Sequence, residues 1–511
     1  ALDLNSTNFS LRWSLAEQAR QWAHALGREL APDELGEWTS RLRSTAGPPL
    51  NSNRTMGALG SVVASRIARE FRIGGPSHTI SSEDGSGIKA LEVAIRQLQS
   101  FELDRALVGA VDLAGDPRAV LGQHAVRPVS RSGRSTPFDS AADGAIIGEG
   151  ACAVVLKRLD DAERDGDRIY AVIRGIGSAS GVAADDGNTV YRLALERAYA
   201  DAGVDRSSIS FIEAGADGTP EHDRREIAAL TSFFAAEDAP ARSCAIRSVK
   251  GDIGHSGAAS GLASVVSACL ALHYEIIPAC RGLESPAQGL VEKTPFYFPG
   301  TSRYWLRNRS DGPRRAGVSV CSIDGSRSHV VLEGREKLTS EADAPPCAPL
   351  GAGAEFLFAV SGASTHELFK ELADLEAALR SSAEGSLLAL SAECCTRCAA
   401  TGKTLAMAMV ARGHDELAAL IALGRSTLDN GGIIPDTTPA LRDRLFYSPQ
   451  PLGPAGKIAF VFPGSGNHFA GMGMELFSRW PGILRRQDRE NLLLRAQFQP
   501  ESFWNGAPAA L

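Results

Sequence analysis

Ile88, Leu91, Ile95 and Leu98 recur three and four residues apart, which predicts an amphipathic helix that opens near Ser86. Residues 106–114 (ALVGAVDLA) follow as a short apolar run bounded by charge, the pattern of a buried strand. Stretches 153–156, 169–175 and 209–214 read as further strands, and 193–202 reads as a helix ending at Gly203. Near the N-terminus, 15–30 predicts a helix with Ser14 as its cap. This alternation argues for α/β layers through about residue 335. Residues 337–353 (KLTSEADAPPCAPLGAG) then break the pattern with Pro, Ala and Gly, as a linker does. Beyond it, strand 355–361, helix 366–380, strand 405–410 and helix 415–423 form a small α/β unit. A proline-bearing loop, 430–456, leads to one more strand at 457–462.

Composition narrows the class. The chain has 511 residues, 44% hydrophobic and 22% charged, the profile of a globular protein with room for about three domains. Its net charge of −7 points to neither nucleic acid nor an anionic membrane surface as a partner. Nine cysteines without framework spacing suit a reducing, cytoplasmic compartment. Cys395 and Cys398 form a lone C-x-x-C with no second pair or histidine to complete a zinc set, so no metal site is expected there. Gly257 to Leu272 is the longest uncharged run, too short and too rich in Gly, Ala and Ser to span a bilayer, so it reads as a buried helix. No charged-then-apolar leader is visible.

Five segments carry candidate chemistry. Ser81-Ser82-Glu83-Asp84-Gly85-Ser86-Gly87 stands at the start of the predicted helix, where free N–H groups and the positive dipole end can activate a nucleophile or simply be capped by Asp. Pro137-Phe138-Asp139, Asp143-Gly144 and Gly148-Glu149-Gly150 form a glycine-rich turn cluster. Glu213-Ala214-Gly215 to Thr219-Pro220 is a strand running into a loop, and Lys250 to His255 is a loop opening an apolar helix. Residues 318–328 form a glycine-containing loop before a strand. A single His such as His255 is more often a satisfied core residue than a catalyst.

Taken in order, these segments resemble the ketosynthase (beta-ketoacyl synthase, thiolase-fold) family over roughly residues 51–334, and the block 137–156, with PFD, DG and GEG, is the most specific part. The resemblance implies a nucleophilic Cys in a DTACSSS-like elbow and two His residues in EAHGTGTP-like and KSNIGH-like motifs. In this sequence Asp84 holds the Cys position and Gly215 the first His position, while Lys250 and His255 remain. The family's GFGGTNAH loop becomes Ser322 to His329. Condensation needs a thiolate to carry the acyl chain. A carboxylate there would form a reactive anhydride, and losing one enolate-stabilising donor costs ~10²–10³-fold in rate. The site therefore reads as non-condensing, like the chain-length factor, a ketosynthase homologue that pairs with an active ketosynthase and shapes its acyl tunnel. Asp84 is then expected to cap the helix, with Lys250 as an ion-pair partner. Strand 106–113 is expected at the dimer sheet. The alternative is a residual malonyl-carrier decarboxylase or acyltransferase using Lys250 and His255, with Ser86 as nucleophile; a third is a decayed fragment without its own fold.

The expected architecture is a thiolase-like layered α/β condensing domain over 1–335, lacking the N-terminal part of the fold, then a linker region with a small α/β domain over 336–456. The start of an acyltransferase follows over 457–511, since Phe462-Pro463-Gly464-Ser465-Gly466 and Gly471-Met472-Gly473 resemble its opening loop. Asn467 and His468 depart from that loop, and no GHSxG elbow occurs before Leu511. This order resembles polyunsaturated-fatty-acid synthase subunits and, more loosely, iterative polyketide synthases. The resemblance implies as partners an active ketosynthase, an acyl carrier protein bearing phosphopantetheine and other synthase domains, with no cofactor bound directly.

Overall fold

A computed structural model describes residues 3–46, 51–57, 59–113, 115, 117–181, 188–234, 243–288, 290, 294–335, 355–381, 387–399, 404–436, 441, 443–452, 456–457, 459, 461 and 481–497. The linker 337–353 and the acyltransferase-like loop with Gly464, Ser465 and Gly471 lie outside them.

The helix predicted from Ile88 and Leu91 is Ser86–Gln99. Its buried face is Gly87, Ile88, Leu91, Ala94 and Leu98, while Lys89 and Glu92 pair on the outside at 2.9 Å. Ile88 packs with Leu262 and Val320 in one core cluster, and burying each such aliphatic side chain contributes about 1.5–3 kcal/mol. The strand Arg105–Asp112 follows and pairs antiparallel with Gly150–Lys157, from Arg105 opposite Lys157 to Asp112 opposite Gly150. These two form their own two-stranded sheet. The burial alternates along Arg105–Asp112, so this strand is half-exposed rather than buried on both faces.

The main sheet has six strands in the order Val172–Ala179, Arg327–Glu333, Arg315–Cys321, Phe211–Glu213, Cys244–Arg247 and Phe296–Tyr297. The first two pairings are antiparallel and the last three parallel. The helix Asn188–Ala202 lies against Val172–Ala179 closely enough that a Cβ at Gly175 or Gly177 would meet its backbone at 2.3–2.5 Å. Only glycine permits that approach. The apolar stretch after His255 is the helix Ser260–Tyr274, with Leu262, Val265, Ala268 and Leu272 in the core. Gly257–Tyr274 is the one stretch among the described residues long and apolar enough to cross a membrane, and 67% of it is buried inside the protein.

Several sequence expectations shift. The N-terminal helix is Asp3–Ala25, so Ser14 lies inside it and bonds the Leu11 carbonyl instead of capping. The 318–328 loop is mostly a hairpin: Arg315–Cys321 and Arg327–Glu333 are paired strands, and only the tip between them turns. β-branched Val318 and Val320 extend the strand through a stretch that its flanking glycines marked as loop.

Residues 347–472 form a second unit. Its antiparallel sheet has the order Phe356–Gly362, Leu405–Ala411, Leu445–Ser448, with helices Thr365–Ser381, Leu387–Ala399 and His414–Asp429. The last strand and the middle helix are additional to those expected from the pattern. Phe358, Val360, Leu372, Met407, Met409 and Leu420 fill its core. Cys395 Sγ bonds the Leu357 carbonyl at 3.3 Å. The helix Pro481–Glu490 packs within the first unit: Arg485 Nε reaches Glu275 Oε2 at 2.7 Å, and Leu484 and Leu494 are buried beside Tyr304.

Candidate functional site

The parallel strands Phe211–Glu213, Cys244–Arg247 and Arg315–Cys321 point the same way, so the loops after them gather at one end of the sheet. Ligands of α/β sheets bind outside the carboxyl ends of such strands. Here those ends deliver Gly215 and Asp217, then Lys250 and His255, then Ser322. Asp84 comes from the 3-10 turn Glu83–Gly85 that opens the elbow helix, where Glu83 takes a positive φ of 44°.

Buried carboxylates hold these loops. Glu213 accepts from the Val249 N–H and from Ser267 Oγ at 2.9 Å, with Arg247 Nε at 3.3 Å. Burial pushes its carboxyl up to about 7 against the opposing pull of Arg247. Asp223 receives the backbone N–H groups of Phe138 at 2.8 Å and Asp217 at 3.1 Å, tying the PFD turn to the 215–220 loop. Asp139 accepts from the N–H groups of Glu284 and Ser285. The PFD block that looked like a turn cluster is thus a brace for the site loops.

Lys250 is buried, and its Nζ donates to the Gly215 carbonyl at 2.5 Å. The Gly215 N–H donates in turn to Glu226 Oε1 at 2.8 Å, which also accepts from the Tyr191 hydroxyl at 2.9 Å. A Cβ on Gly215 would meet the Cys321 nitrogen at 3.2 Å and Glu226 Oε1 at 3.3 Å, so a larger side chain there would press on both neighbours.

Two expectations for Asp84 are corrected. It does not cap the elbow helix, which has no side-chain capping bond. Nor is Lys250 its partner, because the ammonium is engaged by the Gly215 carbonyl. Asp84 Oδ2 instead accepts from Arg127 Nη2 at 2.9 Å. Arg127 Nε stands 3.2 Å from Asp217 Oδ2, and its Nη1 lies against His255 Nε2. One guanidinium therefore joins Asp84, the loop after Glu213 and His255. Ser86 is equally occupied: its Oγ donates to the Glu83 carbonyl at 2.6 Å and accepts from the Ser82 N–H at 2.8 Å.

Arg127 was not singled out from sequence, where it stands beside Pro128 among Arg118, Arg131 and Arg134 with no motif around it.

The electrostatics follow from these contacts. Burial raises the Asp84 carboxyl, but the Arg127 and Lys250 cations near it outweigh that and hold it below its usual value. Asp217 is drawn down to about 2, with Arg127 and Lys250 overcoming the burial penalty. His255 is pushed down to about 3 by burial, reinforced by the charges of Lys250 and Arg127. Its Nδ1 accepts from the Gly257 N–H at 3.1 Å and stands 3.5 Å from Ser260 Oγ, while its Nε2 lies against Arg127 Nη1. His329, on a sheet strand, bonds Ser319 Oγ at 2.9 Å and stacks on Tyr199. Beside Asp84, a pocket lined by Lys250, Ser260, Ser264, Ser319 and Cys321 is too small for a water molecule.

Comparison with known proteins places this geometry. Residues 31–162 match the Beta-ketoacyl synthase, N-terminal domain, and residues 170–284 the Beta-ketoacyl synthase, C-terminal domain. A mycocerosic acid synthase-like polyketide synthase of Mycolicibacterium smegmatis is 33% identical over 83% of the chain and 20% of its own length. A phthioceranic/hydroxyphthioceranic acid synthase of Mycobacterium tuberculosis is 32% identical over 82% and 19%. The chain thus spans about one fifth of these relatives. Among solved structures, the ketosynthase from module 6 of the bacillaene synthase of Bacillus subtilis 168 superposes with a TM-score of 0.51 at 26% identity, over 76% of this chain and 65% of that one. The oxazolomycin ketosynthase domain OzmH KS7 of Streptomyces albus JA3453 gives 0.51 at 25% identity, over 76% and 63%. The chain therefore carries a thiolase-like ketosynthase, with beta-ketoacyl synthase N- and C-terminal domains, of the polyketide synthase type.

Proposed function

We propose that this ketosynthase is a non-condensing, chain-length-factor-like domain of a polyketide or polyunsaturated-fatty-acid synthase, which pairs with an active ketosynthase and shapes its acyl tunnel. The observation that carries the reading is Asp84. It occupies the nucleophile position, and its carboxylate is consumed in an ion pair with Arg127. A carboxylate so held cannot keep an acyl chain as a thioester. Gly215 supplies no imidazole, and Lys250 is turned onto the Gly215 carbonyl. The residual decarboxylase reading would need His255 Nε2 free to face a substrate oxygen, and Arg127 covers it.

Support for a partner comes from the Arg105–Asp112 strand. Among the described residues it pairs only with Gly150–Lys157, and Leu107, Val111 and Val155 are exposed on this ribbon. An unpaired, apolar edge is a template for another strand. The phosphopantetheine-bearing carrier protein and the neighbouring synthase domains are partners on the strength of the family alone, and the cytoplasm is the compartment that the free cysteines suit.

The test is co-expression with an active ketosynthase of the same synthase. A stable complex is expected, with product chain length changing when residues at the shared edge are altered. Products identical in length and yield with and without this chain would refute the reading.

A further inference from the structure

Arg127 makes three contacts that no single structural role requires: Asp84 at the nucleophile position, Asp217 in the loop after Glu213, and His255 Nε2. Its side chain is 11% exposed, and its guanidinium lies against both Asp84 and His255 Nε2, which themselves stand 3.7 Å apart. The pocket beside Asp84, lined by Lys250, Ser319 and Cys321, leaves no room for a water-sized group. We propose that Arg127 is an occluding residue, a third lock on the site that acts independently of the missing thiol and the missing first histidine. Restoring a thiol at position 84 alone then leaves the site closed to acyl groups. This rests on the non-condensing reading, and it identifies the residue that determines which molecules can reach the elbow.

The reasoning is steric and electrostatic. Loading an acyl group on a thiol at position 84 requires the thioester carbonyl to approach along the line now held by the guanidinium. The thiol sulfur attacks that carbonyl, the carrier thiol leaves with the proton, and no other reactant is needed. Asp217 remains to anchor Arg127 when Asp84 is replaced, so the Arg stays in place. A displacement of the reacting carbonyl by about 1 Å costs roughly 100-fold. A small alkylating agent is less affected, and a neighbouring guanidinium favours the thiolate it attacks.

The experiment compares the unaltered chain, Asp84→Cys, and Asp84→Cys combined with Arg127→Ala or with Arg127→Gln, which keeps a donor for Asp217. Each is treated with hexanoyl-pantetheine and, separately, with iodoacetamide, and adducts at position 84 are read by peptide mass spectrometry. The expected result is an acylation rate about 100-fold higher in the double variants than in Asp84→Cys, with no rise in the iodoacetamide rate. Equal acylation of Asp84→Cys and the double variants overturns the proposal, as does a parallel rise with both reagents, which would mean that losing Arg127 only loosens the fold. Acylation of the unaltered chain would instead overturn the non-condensing reading.

Discussion

Replacing Arg127 by Met keeps the length and apolar stem of the side chain and removes its charge. Two carboxylates then lose their nearest cation in a site where Asp217 is 5% exposed and Asp84 14%. The Asp217 carboxyl is drawn down to about 2 against its burial, and Arg127 is the foremost of the cations that draw it. Breaking a buried pair by deleting one partner costs roughly 3–5 kcal/mol, because an uncompensated charge remains. We expect Arg127→Met to lower the unfolding free energy by about 3–5 kcal/mol at pH 7. Adding Asp84→Asn and Asp217→Asn should recover most of that loss. Both acids have folded values below their unfolded ones, so their stabilisation is present above about pH 4 and lost as pH falls below it, for Asp217 through about 2. The deficit of Arg127→Met should therefore shrink on acidification through this range. Urea denaturation followed by tryptophan fluorescence between pH 2.5 and 7 measures it. A loss under about 0.5 kcal/mol at pH 7, the size for an exposed pair, or a deficit independent of pH, would refute the reasoning.

Other consequences are as direct. Gly215→His should destabilise by about 1–3 kcal/mol, the cost of overpacking, since its Cβ already presses on Cys321 and Glu226; thermal melts check this, and malonyl-carrier decarboxylation should stay at background. Leu91→Ala, at a fully buried position on the elbow helix, should cost about 2–5 kcal/mol in denaturant titrations. Burial pushes the Cys321 thiol up to about 12, so iodoacetamide should leave it unmodified at pH 8 in the folded protein, as peptide mapping would show. Arg485→Ala removes the bonds to Glu275 and the Tyr274 carbonyl, so limited proteolysis should cut more readily in the 481–497 segment, with fragment masses as the readout.

The layered α/β class was legible because Ile88, Leu91 and Leu98 mark a helix and the runs around 106–114 and 209–214 mark strands. Local periodicity records which face is buried. The hairpin of Arg315–Cys321 and Arg327–Glu333 was less legible, since Gly325 and the polar residues around it signal a turn but not how far the strands run. The site was half legible. Asp84 and Gly215 stand out because a motif surrounds each. The Lys250–Asp84 pair failed because sequence gives charge but not reach: the Gly215 carbonyl is the acceptor within range of Lys250. Arg127 lies in no motif, 43 residues from Asp84 and 128 from His255, and only folding brings it to them.

The central claim is that this ketosynthase carries no acyl chain. Intact-mass spectrometry of the purified chain after incubation with an acyl thioester, alone and with a co-expressed active ketosynthase, tests it most directly. The account predicts an unchanged mass for this chain in both cases, and acylation confined to the partner. A covalent acyl adduct on this chain, at Ser86 or at any cysteine, would contradict it and mark a catalyst with a relocated nucleophile.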